Sequence, residues 1–227
     1  MLKQAAKKGY LSALFALPHN NIFEFHHVSA HPEAERSKCK MDTGAFQDFI
    51  RRHGPYASLE KLIAARKLEG LGAVTFDDGL ADLYTAAYPF LREEKIPFTA
   101  FILPAMVGKP GYVTADQLRE MADDPLVTVG SHGMVHERHG RMTEKEQRAS
   151  LFESKARLED LLGRPCRYFA YPFGSYTQTT AEIAKAAGYE NACAVKGRPV
   201  LLWNRGGGYD LPRLSVWDET RACYERA

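Results

Sequence analysis

Short apolar runs alternate with amphipathic segments along most of the chain. The runs are rich in β-branched and aromatic residues, which is typical of buried strands, and the segments between them carry helix caps. The predicted strands are 21–28, 73–76, 97–103, 126–130, 167–171, 189–195 and 211–216. The predicted helices are 2–16, 43–52, 58–68, 81–94 (with a kink or break at Pro89), 114–123, 143–163 and 179–187. This alternation predicts parallel β-α units and therefore an α/β protein.

The number of predicted strands favours a barrel over an open sheet. About seven strands are one fewer than a full (β/α) barrel uses, so we expect an incomplete (β/α) barrel of parallel strands. The sequence shows no internal repeat, low-complexity tract or linker. We therefore expect residues 1–227 to form a single domain, with residues 1–20 as an N-terminal helical extension.

Composition narrows the class of protein. The chain has 227 residues, of which 45% are hydrophobic, and a net charge of +2 without a dense basic run. A nearly neutral chain argues against nucleic acid as the main partner. The cysteines are scattered and form no Cys-x-x-Cys pair, so neither a zinc ribbon nor a disulfide scaffold is indicated. They are Cys39, Cys166, Cys193 and Cys223.

The N-terminal residues loosely resemble a secretory leader. Lysines precede the apolar run 10–17, but this run is short, and Pro18-His19-Asn20 is a poor cleavage site. We therefore expect an amphipathic helix here and a cytoplasmic location rather than an exported protein. No stretch of the sequence is long enough to span a bilayer.

Two adjacent carboxylates, Asp77 and Asp78, end the predicted strand 73–76 and are followed by Gly79. The carboxyl ends of parallel strands are where α/β folds place their chemistry. Neighbouring carboxylates repel each other, but a cation can separate their roles, so that one binds metal while the other remains a free base. The structural alternative is an Asp-Gly turn with a helix cap.

A pair of histidines follows the predicted strand 126–130. His132 and His136 are four residues apart, which would place them on one face of a helical turn. With Asp78 they supply two nitrogens and one oxygen, and three protein ligands with an open position indicate a catalytic metal site. Zinc suits this set, as do nickel, cobalt and iron(II). Ser131 is interpreted as supporting this loop, and His139 as a surface residue, with metal ligation as its alternative.

These segments resemble the motifs of a known enzyme family. Thr75-Phe76-Asp77-Asp78-Gly79 and Ser131-His132 with His136 look like the first two motifs of the polysaccharide deacetylase family, the NodB-homology or carbohydrate esterase family 4 type. Tyr171-Pro172-Phe173-Gly174 looks like the third. The resemblance implies a distorted (β/α) barrel and a metal-dependent hydrolase that removes acetyl groups from N-acetylated sugars.

The resemblance also implies a role for each matching residue. Asp77 would be the general base, and Asp78, His132 and His136 would hold one divalent metal. The backbone N–H of Phe173 would face the developing oxyanion. General principles agree with these roles, because a metal acidifies bound water and a neighbouring carboxylate can then accept its proton.

Two departures from the family pattern lead to further hypotheses. Ala170 stands where many members have an arginine that orients the base, so we expect Arg213 to take that role; the alternative is an ordinary ion pair. No histidine follows His139, although the family's usual general acid is a histidine in a late Leu-x-His motif. We therefore expect His26 to supply the proton, with His27 as the second candidate and a plain strand-end histidine as the structural alternative.

The sequence thus predicts a carbohydrate N-deacetylase that acts on a cell-envelope glycan, such as lipopolysaccharide, or on its precursor. The alternatives are a deformylase of a lipid-linked sugar, another amide hydrolase, and a catalytically dead glycan-binding module. Tyr171, Tyr176 and Trp217 could stack on a sugar ring or belong to the core. The charged helix 143–160 is interpreted as a solvated outer face.

Overall fold

A computed structural model describes residues 20–31, 39–65, 69–197, 208–218 and 221–222. The strands formed by these residues are β1 (Asn21–Phe25), β2 (His27–Ser29), β3 (Lys40–Asp42), β4 (Gly72–Phe76), β5 (Phe98–Ile102), β6 (Val127–Ser131), β7 (Tyr168–Ala170), β8 (Asn191–Val195), β9 (Leu211–Asp218) and β10 (Arg221–Ala222). The predicted helix 2–16 and Cys223 lie outside the described residues.

Seven of these strands form a closed barrel in which every pairing is parallel. The order around the barrel is β1-β4-β5-β6-β7-β8-β9. β9 returns to β1 through the pairs Phe23–Leu214 and Glu24–Ser215, and this pairing closes the barrel. The seven-stranded parallel barrel predicted from the alternation of elements is therefore confirmed. β10 is antiparallel to β9, while β2 and β3 pair with each other beside the barrel.

The helices surround the barrel, and all but the helix Tyr88–Glu93 begin after a residue whose side chain caps the first turn. The α-helices are α1 (Thr43–Arg52), α2 (Leu59–Ala64), α3 (Tyr88–Glu93), α4 (Ala115–Asp123), α5 (Glu144–Leu162) and α6 (Gln178–Ala186). Asp42 caps α1 by accepting the N–H groups of Gly44 and Ala45. Thr143 forms a capping box with Glu146 at the start of α5, as its Thr-x-x-Glu spacing predicts. These side chains satisfy N–H groups that the first helical turn leaves unpaired.

Three local predictions need correction. The first strand is interrupted at His26, so that β1 and β2 replace a single strand 21–28. The kink expected at Pro89 takes the form of a π-helical turn, Leu83–Ala87, in which the Tyr88 N–H reaches back to the Leu83 carbonyl. Residues 132–136 form an irregular loop with bends at 134–136 rather than a helical turn, and Gly133 within it has a φ of +84°.

The barrel interior is apolar towards the amino ends of the strands, here called the bottom, and polar towards their carboxyl ends, the top. Ile22, Ala73, Phe101, Tyr168 and Leu211 pack together with Leu59 and Leu62 of α2. Side chains two residues further along a strand point the same way, which places Glu24 above Ile22, Thr75 above Ala73 and Arg213 above Leu211. All three of these polar side chains are buried. They form the floor beneath the rim where the strands end.

The other sequence-based expectations concern cysteines and membranes. Among the described residues, Cys166 and Cys193 are buried thiols that form no disulfide. None of the described helices has the length and apolar character needed to cross a bilayer.

Candidate active site

The two carboxylates at the end of β4 are separated by a turn of the backbone. Asp77 continues the sheet, because its N–H donates to the Phe25 carbonyl at 3.0 Å. Asp78 then adopts a left-handed conformation with a φ of +71°, and Gly79 follows with +72°. A Cβ at position 79 would lie 2.9 Å from Ile102 Cδ1, so this position favours glycine. The turn points the carboxylates of Asp77 and Asp78 to different partners.

Asp78, His132 and His136 meet at the rim of the barrel. Asp78 Oδ1 lies 3.6 Å from Nε2 of His132 and 3.6 Å from Nε2 of His136. The three candidate ligand atoms all lie within 4.8 Å of one another. Ligand atoms around a tetrahedral zinc ion are separated by roughly 3.3 Å, as follows from bond lengths near 2.0–2.1 Å. The residues therefore fit a divalent cation.

Unsatisfied polar atoms support the same conclusion. Asp78 Oδ1 and His132 Nε2 are buried and have no hydrogen-bond partner among the described residues. Buried polar atoms are usually paired, since an unpaired one costs about 1–3 kcal/mol. A cation coordinated by both atoms would remove this cost. Two nitrogens and one carboxylate oxygen form a donor set that zinc, nickel, cobalt and iron(II) accept.

Hydrogen bonding and burial prepare His132 to act as a ligand. Its Nδ1 lies 2.8 Å from the Ala170 carbonyl and can donate to it, which leaves the Nε2 lone pair directed towards Asp78. Burial lowers the pKa of His132 to about 3 and also lowers the pKa of His136. Both imidazoles are therefore neutral near pH 7, which is the form that binds metal.

Arg213 forms a bidentate pair with Asp77 inside the barrel. Its Nη1 and Nη2 donate to Oδ1 and Oδ2 of Asp77, each at 2.6 Å, and both side chains are fully buried. Burial alone would raise the pKa of Asp77, but the charge of Arg213, with His132 and the hydrogen bonds, holds it well below its ordinary value. The structure thus brings together the two residues that the sequence hypothesis paired, although they are 136 positions apart.

Glu24 was not identified from the sequence. Its Oε1 accepts from Arg213 Nη2 at 3.1 Å, and the Ser215 hydroxyl donates to its other oxygen. Burial raises the pKa of Glu24 to about 8, and the charge of Asp77 adds to this against the opposing effect of Arg213. The available sequence signal was a lone glutamate between two phenylalanines of a buried strand, which strand periodicity would place inside the barrel.

Glu24, His26 and Asp77 form a second cluster whose potential ligand atoms lie within 4.8 Å of one another. This cluster already holds the guanidinium of Arg213, which bonds to both carboxylates. A metal cation bound to this cluster would be repelled by the positive charge of Arg213. We therefore assign this cluster to the support of Asp77 rather than to a metal.

His26 and His27 face different neighbours. His26 follows β1 at the rim, and its Nδ1 is buried without a hydrogen-bond partner in the described segments. Burial lowers the pKa of His26, while the charges of Asp77 and Asp78 oppose this effect. His27 Nδ1 lies 2.8 Å from Asp82 Oδ2, away from the cluster. Of the two candidates, His26 is the one placed with the other site residues.

Phe173 lies in the turn that follows β7. Its φ of +58° is unusual for a residue with a side chain, and the residue is 47% exposed. The ring centroid is 4.2 Å from that of His136, and the Arg138 guanidinium lies 4.2 Å from the Phe173 ring centroid. Phe173 is thus adjacent to His136, one of the candidate metal ligands.

The structure corrects the assignment of His139 and decides between the alternatives left open for Tyr171. His139 is fully buried rather than on the surface, with its Nε2 2.9 Å from the Ser150 hydroxyl. Tyr171 is a core residue, since it is fully buried, stacks on Tyr176 at 4.7 Å and donates to the Tyr209 carbonyl. The charged helix predicted at 143–160 also has a buried face, which consists of Gln147, Ser150, Leu151, Ser154 and Leu158. The side chain of Trp217 lies outside the described part.

Comparisons with known proteins converge on one family. The family model described as "Polysaccharide deacetylase" matches residues 66–192. Poly-beta-1,6-N-acetyl-D-glucosamine N-deacetylase of Staphylococcus aureus strain MRSA252 is 26% identical over 163 residues, which cover 64% of this chain and 54% of that protein. YxkH of Bacillus subtilis is 29% identical over 143 residues, which cover 63% of this chain and 50% of that protein. The chain therefore spans about half the length of these curated relatives.

Solved structures share the fold. The Streptococcus pyogenes deacetylase PplD in complex with acetate superposes with a TM-score of 0.77 at 21% identity, covering 90% of this chain and 95% of that one. IcaB from Ammonifex degensii superposes with a TM-score of 0.74 at 25% identity, covering 89% and 93%. The seven-stranded barrel described above is thus shared with deacetylases of the NodB type.

Proposed function

Because the chain belongs to the polysaccharide deacetylase family, we propose that it is a metal-dependent N-deacetylase of amino sugars in a glycan. The observation that carries this proposal is the convergence of Asp78, His132 and His136 beside an Asp77 that Arg213 keeps ionised. A binding module has no need for a buried, ionised carboxylate next to a metal site. The arrangement instead supplies what hydrolysis requires, which is a ligand set and a separate base.

The reaction adds water to the acetyl carbon and breaks the carbon–nitrogen bond, giving acetate and a free amine. A cation held by Asp78, His132 and His136 would polarise the carbonyl and acidify a water molecule. Asp77 would accept the proton of the attacking water, while Arg213 keeps its carboxylate oriented. A carboxylate whose pKa is held low is a weak base towards ordinary water, so Asp77 would act on water that the cation acidifies.

Two further groups act on the developing charges. The backbone N–H of Phe173 would donate to the oxyanion of the tetrahedral intermediate. His26 would protonate the leaving nitrogen, because an amide nitrogen leaves poorly as an anion, and would regain a proton equivalent to the one that Asp77 takes from water. Its position beside Asp77 at the rim supports this role over one for His27, which contacts Asp82.

The substrate we propose is an N-acetylglucosamine-containing polysaccharide of the cell envelope or its precursor. The S. aureus relatives are named for a polymer of this sugar, and this name is the support for the choice. Zinc is the cation we propose. Nickel, cobalt and iron(II) are the alternatives, and the measurement of bound metal distinguishes them.

The test measures bound metal and acetate release on the same preparations. The wild-type protein should bind about one divalent ion per chain and release acetate from N-acetylglucosamine oligomers. Asp78→Asn should lose both, whereas Asp116→Asn, an exposed carboxylate on α4, should keep both. Metal binding without acetate release, but with formate release from an N-formyl sugar, would favour the deformylase alternative. Glycan binding without metal or turnover would contradict an enzymatic role.

A further inference from the structure

We propose that His139 and Ser150 form a buried brace that holds the loop between the two histidine ligands and thereby sets the cation affinity of the site. This inference rests on the metal site of the proposed function. It assigns a positioning role to two residues that lie outside the candidate ligand set and do not contact the reacting atoms. We call His139 and Ser150 the histidine–serine brace.

The brace bonds to the loop midway between the ligands. Ser150 Oγ accepts the N–H of Met134 at 3.1 Å and lies 2.9 Å from His139 Nε2. Burial lowers the pKa of His139 to about 4, so the ring is neutral near pH 7 and can accept the Ser150 hydroxyl proton. The His139 ring in turn packs edge-on against Phe169 at 5.6 Å, which fixes its orientation.

Glycine at position 133 allows this close approach. A Cβ there would lie 2.7 Å from His139 Cε1 and 3.2 Å from Ser150 Oγ. Gly133 also has a φ of +84°, a conformation that other residues rarely adopt. The loop backbone is therefore packed directly against both members of the brace.

A second serine continues the attachment to α5. Ser131 Oγ accepts the Gly133 N–H at 3.1 Å and donates to Ser154 Oγ at 2.9 Å. Ser154 lies one helical turn after Ser150, so that the two serines share one face of α5. Two successive loop N–H groups, those of Gly133 and Met134, are thus held by serine hydroxyls.

The candidate ligands differ in how much they depend on this attachment. His132 directly follows β6, is 1% exposed, and is bonded through both its ring and its backbone. His136 lies in the loop, and its side chain is 34% exposed. The separation between the two Nε2 atoms therefore depends on the loop conformation. Apolar side chains could fill the same space, but they could not satisfy the Met134 N–H.

The experiment titrates the metal-free protein of 227 residues with Co²⁺ and Zn²⁺ in competition with a chromophoric chelator. Ser150→Ala and His139→Phe should each weaken binding about 10–100-fold, which is the usual effect of losing a group that orients metal ligands. The visible spectrum of the Co²⁺ protein should change in both variants. His139→Gln, which places an amide near the position of Nε2, should recover most of the affinity.

Thr180→Val is the matched control, because it removes a buried hydrogen-bonding hydroxyl from the cap of α6. It should lower the melting temperature without changing the cation affinity. If Ser150→Ala and His139→Phe melt lower but bind Co²⁺ within twofold of wild type, the brace is merely structural and the proposal is wrong. A wild-type protein that binds no cation would contradict the proposed function as well, whereas unchanged affinity in the variants contradicts only the brace.

Discussion

At the scale of single residues, His26 is the strongest candidate for the proton donor. We expect His26→Gln to lower kcat by about 10²–10⁴-fold, the usual contribution of a general acid, while metal content stays unchanged. The loss should be much smaller for an aryl acetate ester, because a phenolate leaves without being protonated. The measurement is kcat on an N-acetyl sugar and on an aryl acetate ester, for the wild-type protein and for each variant.

His27→Gln is the control for this prediction, since His27 is directed to Asp82. It should retain kcat within a few-fold of wild type. Equal losses on amide and ester substrates in His26→Gln would show that His26 does not protonate the leaving group.

Glu24 links the site to the pH dependence of stability. Its pKa rises from the ordinary 4.5 to about 8 in the folded protein, chiefly through burial. At pH values between 4.5 and about 8, the Glu24 carboxyl is ionised in the unfolded chain and protonated in the folded chain. The contribution of Glu24 to the free energy of unfolding therefore falls as the pH rises. Glu24→Gln removes the titration. Its unfolding free energy relative to wild type should increase with pH, by up to about 1.4 kcal/mol per unit.

Urea unfolding of metal-free protein at pH 5 and pH 8 measures this difference. Glu153→Gln, which alters an exposed glutamate on α5, should show no such trend. If the difference between Glu24→Gln and wild type is the same at both pH values, Glu24 does not retain its proton.

The sequence predicted residues whose chemistry is visible in local motifs. Asp77, Asp78, His132 and His136 could be identified because each follows a predicted strand, and parallel strands end at one rim. Glu24 was missed: strand periodicity places it inside the barrel, but nothing local signals its contact with Arg213, which is 189 positions away. His139 was placed on the surface because an isolated histidine in a polar stretch gives no sign of a buried partner.

At the scale of elements, the prediction succeeded where local preferences and the fold agree. The capping box at Thr143 and the cap at Asp42 mark the starts of α5 and α1 as the structure has them. It failed at 132–136, where histidines four apart fit a helix by spacing alone. There, the positive φ of Gly133 and the serine hydrogen bonds from α5 stabilise a bent loop instead. Tertiary contacts of this kind override a local pattern.

At the scale of the whole molecule, closure of the barrel and assembly of the site depend on the same contacts. β9 pairs with β1 next to the point where Arg213 reaches Glu24 and Asp77 across the interior. The candidate ligands come from the ends of β4 and β6, which are separated by β5. A cation bound by all three ligands would therefore connect separate parts of the barrel. Binding should accordingly stabilise the entire fold rather than a single loop.

This stabilisation can be measured by thermal unfolding. A cation at about 100 times its dissociation constant adds about 2.7 kcal/mol if it binds only the folded state. For a chain of this size, that corresponds to a rise in melting temperature of roughly 5–10 °C. Chelation should reverse the rise, and Asp78→Asn should show none. A rise of equal size in Asp78→Asn would place the bound cation elsewhere. An unchanged wild-type melting temperature at saturating metal would mean that Asp78, His132 and His136 do not jointly bind one cation.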